Sequence, residues 1–594
     1  MAAEAANLGA VKLTQELRRV EALPRRLWDD EPDDLTELLR TPEGTMSLRQ
    51  IQAVALSEIA DLGGMFGPLR VGAGKTLISL LAPVVTFADR PLLLVPAGLI
   101  EKTKNAMAPL CVVCLRSFPL PDTECQGCRE HLAPHWDLPR FVRIMSYEWL
   151  GRAQAAGALT DYEPDLIVAD ECHRLKNLQA ACTRRVKRHM QAFLDTKFVA
   201  MSGTVTKRSI LDYTHILRWC LDSPPIPKAY TELEAWADAL DERKGQTKRA
   251  DPGALRVLCN DEEDTLWKTE PRRAARLAYR RRLVETPGVV ATKETPIDAS
   301  ITMRAVEAPE SNEVDEAFHG LRSLWETPDG WPIADGLAMF RHARELALGF
   351  FYVWDPRPPM PWLEARRAWC AYVRKVLKHS RKLDSESQVR SYVQKQLEGR
   401  TITEGPELLL AWLEVRDTFE PNTVPVWIDD SVIDLCAEWL DRTGGIAWTE
   451  HRCFAERLAE KSGYDYYGRK GLNAERQPIE AADPKMPLIA SIASNSTGRN
   501  LQAWHKNLIA SMPANGMQTE QLMGRTHRDG QTADEVTFDV LVTCAEHVGA
   551  FWQAKRDSEF VFDSTGSPQK ILVADIDVPT ATDLAYRSGA RWDK

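Results

Sequence analysis

Asp165–Asn177, DLIVADECHRLKN, is the stretch from which the fold is read. The apolar run Leu166-Ile167-Val168-Ala169 is continuous rather than alternating, the pattern of a strand covered on both faces in a parallel sheet. It delivers two adjacent carboxylates, Asp170 and Glu171, to its end, with His173 and a Lys-Asn pair shortly after. Open α/β sheets place ligands beyond the carboxyl ends of their strands. Phosphoryl transfer uses one carboxylate to help hold magnesium and a second group to orient or deprotonate the attacking water. An exposed acidic turn is the bland reading of such a pair, and the residues upstream weigh against it.

Upstream, Val71-Gly72-Ala73-Gly74-Lys75-Thr76 precedes an apolar segment (Leu77, Ile78, Leu80, Leu81) suited to a helix. Glycines let backbone N–H groups approach phosphate, and a helix N-terminus adds partial positive charge. Gly72, Ala73 and Gly74 are expected to line a nucleotide, Lys75 to reach its β- and γ-phosphates, and Thr76 with Asp170 to hold magnesium. The match is to the short GxGKT form, because Leu69 stands where the longer pattern has glycine. Far downstream, Gln521–Gln531 (QLMGRTHRDGQ) carries Arg525 and Arg528 three apart, on one face if the segment is helical. A guanidinium pairs bidentately with phosphate oxygens, as an arginine finger does; a solvated basic helix face is the alternative.

In chain order these segments resemble a superfamily-two helicase motor of the Swi/Snf-type DNA translocase branch, over roughly residues 46–220 and 440–560. Leu48-Arg49 with Gln52 resembles the adenine-reading Q motif, GAGKT motif I, Leu92–Pro96 with Leu99 motif Ia, and Ser146-Tyr147-Glu148 the family's SYE segment. DECHRLKN is similar to the extended motif II, Ser202-Gly203-Thr204 to motif III, Thr497-Gly498-Arg499-Asn500-Leu501 to motif V, and QLMGRTHRDGQ to motif VI. The RLKN tail and the RxHRxGQ ending are the most specific matches. The resemblance implies an α/β protein of two RecA-like lobes, with ATP and magnesium held between Lys75, Thr76, Asp170 and Glu171 on one side and Arg525 and Arg528 on the other. It implies Lys75, Glu171, Arg525 and Arg528 as catalytic, Gln52 and Gln521 as nucleotide-binding, and His173, Ser202, Gly203, Thr204, Gly498 and Asn500 as coupling residues. Val205 replaces a proline after motif III and Ala73 a common leucine. The Asp and Trp-Asn-Pro that the family carries between motifs V and VI are not recognisable in IASMPANGMQTE. These departures bear on DNA coupling more than on hydrolysis.

The 594-residue chain is long enough for several domains, and 44% apolar with 27% charged residues is ordinary for globular protein. The expected division is a helical extension at 1–45, a first RecA-like lobe at 46–220, a helical insertion at 221–430, a second lobe at 431–560 and a tail at 561–594 with a short strand at Ile571-Leu572-Val573. A net charge of −10 gives no global attraction to DNA, so a nucleic-acid surface must be local. Arg184–Arg188, Arg272–Arg282 and Arg366–Lys382 are the candidates, each weighed against a solvated helix face. The interlobe tryptophans read as packing anchors rather than base-stacking platforms. With neither an apolar leader nor a membrane-length run, the cytoplasm is the expected compartment, the host's if the source is viral.

Within the first lobe, at about 108–136, Cys111 and Cys114 form one CxxC pair and Cys125 and Cys128 another, with ten residues between the pairs. Four thiolates from two tight turns complete a tetrahedral, structural zinc site. Disulfides and a metal-free insert remain alternatives, and His131 and His135 are reserve ligands or surface residues. Cys172 reads as a small buried residue. The function expected is ATP-driven translocation on duplex DNA. A strand-separating helicase, a polymerase-recycling or restriction-associated motor, and a regulatory ATP-binding module are the competing readings.

Overall fold

The computed structural model describes residues 11–26, 35–107, 110–111, 132–139, 141–242, 250–292, 299–309, 311–333, 336–380, 383, 386–398 and 404–578. The chain forms two compact units, Met1–Thr295 with Arg556–Leu572, and Pro296–Lys555 with Val573–Lys594.

The first unit is built on a five-stranded parallel sheet, in the order Met65–Gly67, Lys197–Met201, Leu166–Asp170, Pro91–Val95, Arg143–Ser146. Successive residues of its strands feed two separate cores. Ile167, Ala169, Phe198 and Ala200 pack on one face, and Leu166, Val168, Val199 and Met201 on the other. Burial on both sides is why these runs are apolar without a break. Helix Gln50–Leu62 starts where the Arg49 N–H donates to Gln52 Oε1 at 2.9 Å. It stops at Gly63, whose φ of 71° is a left-handed cap.

The second unit is built on a seven-stranded sheet, also parallel, in the order Tyr466–Tyr467, Leu488–Ser491, Ile446–Thr449, Lys506–Ile509, Glu535–Val542, Ser300–Glu307, Asp575–Asp577. Ala447, Ile489, Leu508 and Leu541 share a core with Ile433, Cys436 and Leu440 of helix Ser431–Thr443.

Two segments differ from the sequence expectation. Residues 221–430 are not one helical insertion. Helices Tyr230–Leu240 and Pro271–Val284 join the first unit's core, where Trp236 packs edge-on against Tyr279 at 6.1 Å. Ser300–Glu307 instead pairs in register with Glu535–Val542. Its buried Ile301 and Met303 alternate with the half-buried Thr302 and exposed Arg304, the period of a strand. Met360–His379, Glu386–Glu398 and Glu404–Arg416 form a helical group with its own core around Trp369, Val373, Val389 and Leu409, and helices Asn312–His319 and Gly336–Leu346 pack in a second around Phe318, Leu346 and Phe351. The other difference is Ile571-Leu572-Val573, which lies in a short helix, Lys570–Val573, while the strand begins at Asp575. Three apolar residues carry no period that separates helix from strand. Trp236 and Trp369 are buried packing residues, as read from the sequence. Among the described residues no helix is long and apolar enough to cross a membrane.

Candidate functional site

Three neighbouring strands of the first unit end level with one another, since Gly67 pairs with Met201 and Met201 with Asp170. The phosphate-loop segment follows the first, Ser202-Gly203-Thr204 the second and Glu171 the third. Parallel pairing therefore brings together three stretches far apart in sequence, at the sheet end where ligands bind.

The loop turns into helix Lys75–Val85 through Gly72 and Gly74, with φ of 95° and 76°. A Cβ on Gly74 would lie 2.1 Å from Gln52 Nε2, whereas one on Gly72 would meet nothing within 4 Å. Gly74 is thus required by backbone sign, while a Cβ there would displace only the Gln52 amide. Two residues of the Q-like segment grip the loop: Arg49 Nη1 donates to the Gly72 carbonyl at 3.0 Å and Gln52 Nε2 to that of Gly74 at 3.5 Å. Lys75 is buried, with Nζ 3.2 Å from the Leu69 carbonyl, 3.4 Å from that of Arg70 and 3.6 Å from Glu171 Oε1. Ala73 packs into the apolar core, and Thr76, half-buried, is the second residue of the helix.

Asp170 and Glu171 are buried side by side, and their environments push them apart. Burial raises Asp170, the adjacent Glu171 carboxylate adds to the rise, and the group is pushed up to about 6. Burial also acts to raise Glu171. Lys75, His173 and Ser202 outweigh it and hold the carboxyl well below its usual range. Ser202 Oγ donates to Glu171 Oε2 at 3.0 Å, while His173 Nδ1 lies 3.2 Å from the same oxygen and 3.0 Å from Ser202 Oγ. Burial lowers His173, against the pull of Glu171. Tyr147, of the SYE segment, donates its hydroxyl to the Asp170 carbonyl at 2.7 Å. Cys172 is buried, as expected, and burial pushes its thiol up.

In the second unit the helix that carries Gln521 and Arg525 spans Gly516–Thr526, so Arg528 lies beyond its end. His527 leaves helical geometry, and its Nε2 donates to the Ala299 carbonyl at 2.8 Å. The two arginines therefore do not share a helix face. They converge differently: Arg525 Nη1 and Arg528 Nη1 both donate to the Arg499 carbonyl, at 3.0 and 3.1 Å. Arg525 is buried and also donates Nε to the Gln521 carbonyl at 2.7 Å, whereas Arg528 is half-buried and reaches Asn500 Oδ1 at 2.6 Å. Thr497 donates to Gln521 Oε1 at 3.1 Å, and Gly498 turns at a φ of 78°. Thr497–Leu501 and Gln521–Arg528 are thus one hydrogen-bonded cluster.

Two of the basic runs are largely engaged within the protein. Arg185 is buried and donates to the Leu150 carbonyl at 2.7 Å. In the 272–282 run, Arg276 pairs with Glu242 at 2.8 Å, Arg281 with Glu263 at 3.0 Å, and Arg282 is buried against the Pro24 carbonyl at 2.7 Å. A run that alternates with packing residues along a buried helix meets carboxylates and carbonyls rather than solvent. Of the proposed zinc ligands, Cys111 lies in a strand, Leu110–Cys111, paired with Leu132–Ala133, while Cys114, Cys125 and Cys128 lie outside the described residues, as does His131. His135 is buried rather than on the surface, and its Nδ1 accepts from the Thr45 N–H at 3.1 Å. Among the described residues no group of three or more His, Cys, Asp or Glu side chains is placed to hold a metal.

Sequence reading missed Ser567 and Gln569, both of which donate to the carbonyl of Gly203, at 3.0 and 3.2 Å. No local pattern marks them, since their importance arises from a contact 364 and 366 positions away. No family model and no curated protein matches the chain.

Proposed function

We propose that this chain is an ATP-hydrolysing motor that tracks duplex DNA, built from two RecA-like lobes. One observation carries the hydrolase reading: Lys75, at the start of a glycine-turned helix, lies 3.6 Å from Glu171, which adjoins Asp170 at the level end of three parallel strands. In this reading the loop amides and Lys75 bind the β- and γ-phosphates. Glu171, held ionised by Lys75 and oriented by Ser202, positions the attacking water and takes its proton. Arg528, whose Nη1 is engaged by Asn500 and Arg499, supplies charge to the transferring phosphoryl group, while Arg525, bound on two sides, fixes the cluster.

Asp170 and Thr76 fit a hard divalent cation, which prefers oxygen donors. A carboxyl raised by burial beside a second carboxylate is one that a cation would keep ionised. Magnesium, when bound there, would neutralise phosphate charge. The four cysteines are proposed to hold one structural zinc per chain, which elemental analysis of protein purified without added metal decides. The duplex-tracking part rests on the RLKN and RxHRxGQ segments.

The test is steady-state ATPase with no nucleic acid, single-stranded DNA, duplex DNA and RNA compared side by side, with triplex and forked-duplex displacement run in parallel. The reading expects the largest stimulation from duplex and displacement of a third strand. Release of a single strand from the fork without triplex displacement would assign a strand-separating helicase instead.

A further inference from the structure

The first unit includes a stretch that arrives late in the chain, Arg556–Leu572. It is firmly seated. Asp557 is buried and pairs with Arg208 at 2.6 Å, and Asp563 lies 3.5 Å from Arg273 and 3.8 Å from Arg276. Past the end of its helix, the side chains of Ser567 and Gln569 are buried and both donate to one acceptor, the Gly203 carbonyl, at 3.0 and 3.2 Å.

That carbonyl belongs to the same peptide group as the Thr204 N–H, which donates to Ser202 Oγ at 3.2 Å. Ser202 Oγ in turn donates to Glu171 Oε2 at 3.0 Å. A peptide group is planar, so fixing the direction of its carbonyl fixes the direction of its N–H. The four hydrogen bonds form three successive steps that run head to tail, an arrangement in which each polarises the next. Gly203 is tightly confined on its other side. A Cβ there would lie 3.3 Å from Arg70 Cα, Leu69 O and Val71 N, at the entrance of the phosphate loop.

We propose that Ser567 and Gln569 are positioning residues for hydrolysis, orienting the Glu171 carboxylate through the Gly203–Thr204 peptide and the Ser202 hydroxyl. This rests on the hydrolase reading above. Without the two donors, the buried Gly203 carbonyl must rotate to find another partner. The same rotation withdraws the Thr204 N–H from Ser202 and releases the hydroxyl that aims Glu171. Nucleotide contacts from Lys75 and the loop lie outside this relay.

The test uses the full chain. For the wild type and Ser567→Ala/Gln569→Leu, ATPase kcat and KM are measured with direct titration of a fluorescent ATP analogue. The expected result is a kcat lowered about ten- to a hundredfold, the scale of a misplaced catalytic group, with analogue affinity within about twofold. Ser567→Thr, which keeps the hydroxyl, retains most of the rate. The same double change made on a Ser202→Ala background costs little further, because the relay is already cut. An unchanged kcat, or a full additional loss on the Ser202→Ala background, overturns the proposal. Should the double variant fail to fold, Gln569→Leu alone, checked by thermal melting, is read by the same criteria. A wild-type chain that binds the analogue yet does not turn over ATP overturns the hydrolase reading, and the relay with it. A wild type that turns over while the variant matches it overturns only the relay.

Discussion

Glu171 has a φ of 57°, a left-handed backbone that a side chain this size seldom adopts. Strain of that kind persists where the surroundings over-determine it, commonly at functional sites. Here the reversal comes directly after the strand, so that Asp170 and Glu171 lie at the same sheet end with opposite electrostatic fates. Glu171→Gln keeps the size and the Ser202 contact while removing the carboxylate proposed as base. Nucleotide binding is expected to stay near the parental level while turnover falls by on the order of a hundredfold or more. ATPase assays paired with analogue titration measure both. Arg528→Ala is expected to lower turnover about a thousandfold, the lower range for an arginine finger, with little change in thermal stability. Arg525→Ala, by contrast, is expected to lower the melting temperature of the second unit, because it removes donors to the Gln521 and Arg499 carbonyls. The residue types at 72–76 and 170–171 were legible in the sequence because their chemistry is local. Ser567 and Gln569 were not, since a Ser and a Gln after a helix are ordinary until the fold supplies the carbonyl they meet.

Elements whose apolar residues serve one evident purpose were equally legible. Leu166–Ala169 is uninterrupted because two cores need it, and the structure makes it a central strand. Ser300–Glu307 is hard to read as a strand because its neighbours are helical and its inward set, Ile301 and Met303, is short. The full register with Glu535–Val542 shows what the alternation meant. Gln521–Gln531 shows the opposite case: the helix ends at Thr526, where His527 turns aside to bind the Ala299 carbonyl, so a spacing of three does not place Arg525 and Arg528 on one face. Among the three basic runs, helix Met360–His379 alone leaves a broad set of cations outward. Arg367 and Arg374 are exposed, turned away from the buried Trp362, Trp369 and Val373, while the exposed Arg366 lies over the Trp362 ring at 5.0 Å. If this face meets the phosphate backbone, Arg367→Glu with Arg374→Glu lowers duplex-stimulated ATPase at low salt. It also makes the log–log salt dependence shallower by roughly two, about 0.9 per lost phosphate contact. An unaltered salt slope would place the DNA path elsewhere.

For the molecule as a whole, acid is expected to be the weak side. His215 in the first unit and His451 in the second are both lowered to about 4, chiefly by burial. His189 and His547 are lowered for the same reason. A histidine kept neutral in the folded state and titrating near its ordinary 6.5 when unfolded contributes fully above that pH. Its contribution is lost as pH falls from about 6.5 through about 4. Within that window each such histidine adds a slope of up to roughly 1.4 kcal/mol per pH unit. Thermal melts across pH 7 to 4 should fall accordingly, and His215→Gln should flatten the dependence of the first unit. Connectivity adds a constraint of another kind. Because Arg556–Leu572 returns to the first unit after the whole of Pro296–Lys555 has been made, an emerging polypeptide holds its phosphate loop and paired carboxylates long before the residues that hold Gly203 exist. At about 5–20 residues per second, the ribosome needs on the order of tens of seconds to supply them. On the proposed hydrolase reading, the nascent chain in that interval can bind ATP but lacks the two donors that hold the Gly203 carbonyl, so turnover matures after nucleotide binding does.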